Sequence, residues 1–307
     1  MRNSGWAFLV ILLTGVLPAC GQLSDAQIVD NAFPKELIEA GSPVKSFRFS
    51  TFAAADLNRT GETLLLALYT NGTRAAVSVI SRGGVVLSHP DLRSLKGYKG
   101  ELELVDLDGD HTPEIIVRLY SGHGPMIPDS WIFAWRNKQL TLISPIQRVH
   151  SLDITLLSQI SPVDLDGTGK LAILAFPGVQ RDDENNLVDD GDGVIYALSN
   201  GQYIATPQRF SFAQAFFRLT GEPKAVVSNF KAAPGEATLR IINRAVPGGS
   251  PVDSAQIILN GAIVAEPSAF KSQTPVIAIP VQLTADNQLS VELRSTPGSG
   301  LWILVGK

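Results

Sequence analysis

LELVDLDGDHTPEIIVRL, residues 102–119, places three aspartates on alternate positions, Asp106, Asp108 and Asp110, and follows them at once with an aliphatic run. Like charges this close repel unless the chain curls around something that neutralises them. The apolar run reads as a buried strand. The stretch is therefore a tight acidic turn fixed to a core, and it is the key to the rest of the chain.

Two further segments align with it: FAAADLNRTGETLLLAL (52–68) and ISPVDLDGTGKLAILAF (160–176). Each has a short apolar strand, Asp-Leu-(Asp/Asn), a polar turn, and then about five aliphatic residues. The leading aspartates are Asp56, Asp106 and Asp164, so the period is near 50 residues. One supersecondary unit per such period suits a β-propeller blade. RAAVSVIS (74–81), SWIFAWRNKQLTLIS (130–144) and GVIYALSNGQYIAT (193–206) supply further strands, with hairpin turns at Arg136-Asn137-Lys138 and Ser199-Asn200-Gly201. A short helical turn is expected near Ala26 to Ile38.

The pattern resembles the FG-GAP/VCBS repeat family, the blades of integrin α-subunit propellers and of many bacterial surface proteins. The resemblance covers about residues 45–210 and is strongest over 105–117. It implies an all-β, propeller-like repeat domain, partial or degenerate, because three repeats are too few to close a propeller of six or seven blades. It also implies Ca²⁺ as cofactor, a cation that takes six to eight oxygens from alternate side chains, a backbone carbonyl and a later acid. Laid on the family pattern, Asp106, Asp108 and Asp110 take the first, third and fifth positions. Thr112 offers its carbonyl at the seventh and Glu114 stands at the ninth. Gly109 permits the curl, and His111 stands where glycine is commoner. The other reading of the loop is a solvated Asp/Gly turn. Asp56, Asn58 and Thr60, followed by Leu64, and Asp164, Asp166 and Thr168, followed by Ala172, are weaker metal candidates that lack the last acid. RDDENNLVDDGDG (181–193) reads as a solvated acidic loop, and His123 as part of a flexible one.

At the N-terminus, WAFLVILLTGVL (6–17) has the length of a signal-peptide core and is too short for a permanent membrane span. It runs into Leu17-Pro18-Ala19-Cys20, which resembles the lipobox of bacterial lipoproteins. That likeness implies a signal peptide over 1–19, a lipidated Cys20, and a lipidated N-terminus and linker over 20–44. It implies anchorage in the bacterial envelope, with Gly21 favouring the outer membrane. Cys20 is the only cysteine, so the chain has no internal disulfide or thiolate metal site.

After the repeat domain (45–215) the aspartate loops stop. KAVVSNF, EATLRIIN, AQIILNG, VIAIPVQL, LSVELRS and LWILVG, separated by Pro/Gly turns, read as a small β-sandwich domain over 222–307. Asn260-Gly261 marks a hairpin, and Trp302 reads as a core or edge aromatic.

Twenty-nine acidic residues face 25 basic ones, a balance that gives no hint of a nucleic-acid partner. Enzyme motifs such as G-x-S-x-G, H-E-x-x-H and the P-loop are absent, and His89, His111, His123 and His150 form no spaced cluster. The sequence thus leads to the expectation of a non-enzyme: a surface-anchored, calcium-stabilised binding or adhesion lipoprotein with a protein or carbohydrate partner. The alternatives are an envelope-structural lipoprotein and a glycan-acting hydrolase on a propeller fold.

Overall fold

A computed structural model of the chain describes residues 23–33, 48–70, 75–88, 90–92, 99–120, 128–149, 152–155, 157–176, 180–181, 187–188, 193–243, 250–271 and 275–306. Cys20, the 1–19 segment, His89, His123, His150 and nearly all of the 181–193 acidic run lie outside these. The fold is all-β, built from several sheets of which none closes into a barrel.

The described chain begins with helix α1 (Asp25–Asn31), whose start is fixed by a capping box between Ser24 and Gln27. Three antiparallel four-strand meanders follow. The first is β1 (Arg48–Ala55), β2 (Leu64–Thr70), β3 (Ala75–Ile80) and β4 (Val86–Ser88), with β5 (Asp91–Leu92) also pairing on β3. The second is β6 (Lys99–Val105), β7 (Glu114–Tyr120), β8 (Asp129–Arg136) and β9 (Gln139–Leu142). After a small hairpin of β10 (Ile146–Val149) and β11 (Leu152–Thr155) comes the third. It consists of β12 (Ser158–Val163), β13 (Ala172–Phe176), β16 (Gly193–Ser199) and β17 (Gln202–Phe217), with the short pair β14 (Gln180–Arg181) and β15 (Leu187–Val188) inserted.

The meanders stack face to face, and this explains why their second strands are apolar without alternation. In β2, Leu64, Leu66 and Leu68 face the second meander, while Leu65, Ala67 and Tyr69 face α1. In β7, Ile115, Val117 and Leu119 look back to the first meander, and Ile116 looks forward to the third. A strand buried on both faces reads as a continuous hydrophobic run. Each fully buried Leu, Ile or Val contributes roughly 1.5–3 kcal/mol.

Three repeats leave two outer faces, and both are covered. Ile28 and Val29 of α1 pack on the first meander, where the Tyr69 hydroxyl donates to the Val29 carbonyl at 2.7 Å. The outer face of the third meander, Val163, Leu174, Ile195 and Phe210, packs on Ile242 and Leu304 from the C-terminal region, with Trp302 against the same cluster.

That region comprises β18 (Ala225–Lys231), β19 (Gly235–Ile242), β20 (Ala255–Leu259), β21 (Ala262–Ala265), β22 (Val276–Leu283), β23 (Asp286–Leu293) and β24 (Gly300–Gly306). One sheet runs β18-β23-β20-β21, the other β22-β19-β24-β17, and they enclose a core that includes Leu239, Ile241, Ile257, Val291 and Ile303. The sixteen-residue β17 serves both regions. Its first half pairs with β16 and its second, from Phe210, with β24, so the strand crosses the limit expected at residue 215. The hairpins read from sequence are present as two-residue turns with both central residues left-handed: Asn137-Lys138, Asn200-Gly201 and Asn260-Gly261. Among the described residues no helix is long and apolar enough to cross a membrane.

Candidate metal centre

The three acidic loops occupy the same place in each meander, between its first and second strands. They share one backbone path. The residues three and five positions after the leading aspartate are left-handed in every copy: Arg59 and Gly61, Gly109 and His111, Gly167 and Gly169. Two of these six are not glycine, and His111 holds φ +66° at the position where glycine is commoner.

The leading aspartate organises the turn. Asp106 accepts from the N–H groups of Gly109 (2.8 Å), Asp110 (3.1 Å) and His111 (2.8 Å). Asp56 accepts from Asn58, Thr60 and Gly61, and the Gly61 N–H above all holds its carboxyl below the ordinary value. Asp164 accepts from Gly167 and Gly169 at 2.8 and 2.9 Å. The residue after it is leucine in all three. Leu57 and Leu107 are buried between consecutive meanders, and Leu165 packs toward the C-terminal sheet. The spacing of the first two acidic positions thus has a packing cause, since the leucine between them is an anchor into the next layer.

The loops also touch one another. Arg59 pairs with Asp110 at 3.7 Å, Leu171 N–H donates to the Leu107 carbonyl at 2.8 Å, and a Cβ on Gly109 would lie 3.5 Å from the Gly169 carbonyl oxygen. Asn58 is engaged across the first interface, its Oδ1 accepting from Trp135 Nε1 at 2.6 Å.

Only the second loop gathers carboxylates. One oxygen each from Asp106, Asp108 and Glu114 lies within 4.8 Å of the others. Two oxygens bound to the same Ca²⁺ at about 2.4 Å are at most about 4.8 Å apart, so the spacing fits a single hard cation, as does the all-oxygen donor set. Glu114 opens β7, is 5 % exposed, and accepts from the Leu107 N–H at 2.8 Å. Burial, reinforced by Asp108, Asp110 and Asp106, pushes its carboxyl up to about 7 against the Leu107 hydrogen bond. Asp110 lies outside the trio, its Oδ1 accepting from the Thr112 N–H at 2.6 Å. Thr112 itself is only half-buried.

In the third loop the Asp166 carboxylate accepts from the Thr168 hydroxyl at 2.7 Å and from its N–H at 3.1 Å. The Thr168 hydroxyl above all holds that carboxyl below the ordinary value. Ala172 stands where Glu114 stands in the second loop. Tyr203, not singled out by sequence reasoning, is buried nearby and donates to the Leu171 carbonyl at 3.0 Å. Its burial, with the charges of Glu114 and Asp108 behind it, pushes the phenol well above the ordinary value.

No family model and no curated protein matches the chain. Among solved structures it is similar to an exo-β-1,3-galactanase from Phanerochaete chrysosporium, at 13 % identity over 83 % of this chain and 67 % of that one, TM-score 0.22. It is also similar to a β-fructofuranosidase from Bombyx mori (8 %, 87 % and 67 %, TM-score 0.28) and to the V. cholerae biofilm matrix protein Bap1 (13 %, 84 % and 56 %, TM-score 0.21). The expectation of a non-enzyme is corrected here, because glycoside hydrolases stand among these neighbours. The physical reason is that glycoside hydrolysis needs only two suitably spaced carboxylates, contributed from anywhere in the chain, and leaves no local motif. At these TM-scores the likeness assigns no activity in its place.

Proposed function

We propose that this chain is a lipid-anchored protein of the bacterial envelope whose three β repeats, read as degenerate propeller blades, are held by Ca²⁺ and present a binding surface for protein or carbohydrate. The convergence of Asp106, Asp108 and buried Glu114 carries the cation part. A carboxyl group lodged in the core beside three aspartates is unfavourable when ionised, and a divalent cation offsets that penalty while supplying the charge the loop lacks. Ca²⁺ would thereby couple to folding, since the ligands converge only in the native loop. The blade reading is supported by three four-strand meanders stacked face to face, each carrying its acidic loop at the same corner. The anchor reading rests on Leu17-Pro18-Ala19-Cys20.

The test is thermal melting of the full chain in detergent, stripped with EGTA and titrated with Ca²⁺, beside Asp108→Ala. Melting should rise with Ca²⁺ in the wild type only, and indifference to Ca²⁺ in both would overturn the cation reading. Metabolic labelling with a fatty acid, lost in Cys20→Ser, tests the anchor separately.

A further inference from the structure

A cleft of about 680 Å³ lies between the second and third acidic loops and the C-terminal sheet. This is the size range of small-ligand sites. Its apolar lining includes Leu165 on the side toward the C-terminal sheet and Leu171 and Leu198 on the side toward the second meander. Its three carboxylates already have partners within the loops. Asp108 accepts from the Asp110 N–H at 3.1 Å, Asp110 pairs with Arg59 and accepts from the Thr112 N–H, and Asp166 accepts from the Thr168 hydroxyl and N–H.

The cations of the lining are in the opposite state. Arg240 sits on β19, on the face opposite Leu239 and Ile241 and therefore the face that meets the third meander through Ile242. It is half-buried, and its side chain forms no hydrogen bond or ion pair with any described residue, nor does the side chain of the exposed Lys170. A half-buried guanidinium carries five donors in a planar fork suited to a carboxylate. Beside it, the Thr206 hydroxyl is buried with no hydrogen-bond partner among the described residues, and Gln208 offers an amide at the rim. Unpartnered buried polar groups are rare and call for a specific account. The unused capacity of the cleft is thus one cationic fork, one ammonium, and hydroxyl and amide groups, beside an apolar lining.

We infer that this cleft binds an acidic saccharide, with a sugar carboxylate on Arg240 and Lys170, ring hydroxyls on Thr206 and Gln208, and the C–H face of the sugar against Leu165 and Ala197. The inference deepens the carbohydrate half of the proposed function and does not depend on the cation half. A negative charge on the ligand is what the Arg240 and Lys170 side chains, unpaired among the described residues, are suited to meet. Ring hydroxyls, each both donor and acceptor, match the Thr206 hydroxyl and the Gln208 amide.

The experiment is calorimetric titration of the full chain with a galacturonate trisaccharide, its methyl ester, and a glutamate-rich peptide, each in Ca²⁺ and in EGTA. The acid saccharide should bind at least tenfold more tightly than its ester. Arg240→Gln should remove that preference, and Lys170→Gln, a change at an exposed side chain, should weaken the acid several-fold. Equal binding of acid and ester, binding of neither, binding of the peptide as tightly as the saccharide, or a preference unmoved by both variants would each overturn the inference. Circular dichroism melting of Arg240→Gln separates lost contact from lost fold, and if that variant does not fold, the Lys170→Gln result decides. The Ca²⁺-dependent melting described above is read independently. Failure here with a positive melt removes the ligand and leaves the cation site, and the reverse result does the opposite.

Discussion

The loops at 106–114 and 164–172 follow the same backbone path, begin with the same Asp-Leu-Asp, and turn left-handed at the same two positions. They differ at the ninth residue, Glu114 against Ala172. In the second loop that residue brings a buried carboxyl to Asp106 and Asp108; in the third, Asp164 and Asp166 are satisfied by N–H groups and a hydroxyl of their own turn. The comparison separates two roles that one motif conflates. The first aspartate and the leucine behind it build the turn, and the ninth residue, with the fifth (Asp110 against Thr168), sets how many carboxylates the turn gathers.

If the leucine is the anchor, its removal should have the largest effect, and should be independent of metal. Leu107 is 1 % exposed between the second and third meanders, so Leu107→Ala should cost about 3 kcal/mol in EGTA and in Ca²⁺ alike. Leu165 is only partly buried, and Leu165→Ala should cost less. Chemical denaturation of both variants checks this, and equal losses would show that Leu165 anchors its loop as firmly as Leu107 does, despite its partial burial.

Glu114 sharpens the contrast through pH. Its folded-state value, about 7, lies above the ordinary 4.5, so in EGTA the native state holds a proton that the unfolded chain has lost. Stability should therefore be fully present below about pH 4.5 and fall as pH rises toward 7, by on the order of 3 kcal/mol at most. Glu114→Gln, which keeps an acceptor for the Leu107 N–H, should flatten that slope. With saturating Ca²⁺ the ionised form is the one that binds, so stability of the wild type should rise through the same window, with a gain of about 2.7 kcal/mol at a hundredfold excess over Kd. A slope in EGTA identical in wild type and variant would place the titrating group elsewhere.

The converse change is smaller. Ala172→Glu supplies the third loop with its missing acid. It should cost about 1–2 kcal/mol in EGTA through burial of a carboxyl, and raise the calorimetric stoichiometry from one Ca²⁺ to two. Unchanged stoichiometry would mean that Asp164 and Asp166, held by Gly167, Gly169 and Thr168, cannot turn to a cation.

Much of this was legible in advance. The three Asp-Leu copies announced themselves by spacing, and left-handed Asn and Gly residues announced the hairpins, because local backbone chemistry is written in adjacent residues. The sandwich strands followed from alternation, and VIAIPVQL matches β22 residue for residue. What lay beyond reach depends on partners distant in sequence. Nothing near Ile28 and Val29 says that they cap Leu65 and Tyr69, and nothing near Phe210 says that its strand changes partners there. Nothing near Asp110 says that Arg59 of the first loop lies 3.7 Å from it. Arg240, one charged residue in an alternating strand, reads as solvent-facing until the third meander is placed over that face.

The smallest expected effect lies in the contact between the first and second loops. Arg59 and Asp110 are 3.7 Å apart with side chains 49 % and 56 % exposed, a geometry in which solvent screens the pair and holding two side chains in place offsets what remains. Arg59→Gln should therefore change stability by no more than about 0.5 kcal/mol, and 1 M salt should leave wild type and variant equal. The tie between these two meanders rests instead on Leu57, Leu64 and Trp135 and on the Trp135 to Asn58 hydrogen bond. Arg59 also holds φ +55°, so Arg59→Gly relieves a strained backbone at the same time as it removes the charge. If Gly at this position is more stable than Gln, the residue is there against its backbone's preference, and the loss of Ca²⁺ affinity in either variant would show whether its charge steadies Asp110 at the edge of the cation loop. Ca²⁺ titrations of the two variants, read beside their denaturation midpoints, distinguish a loop-to-loop brace from a bystander.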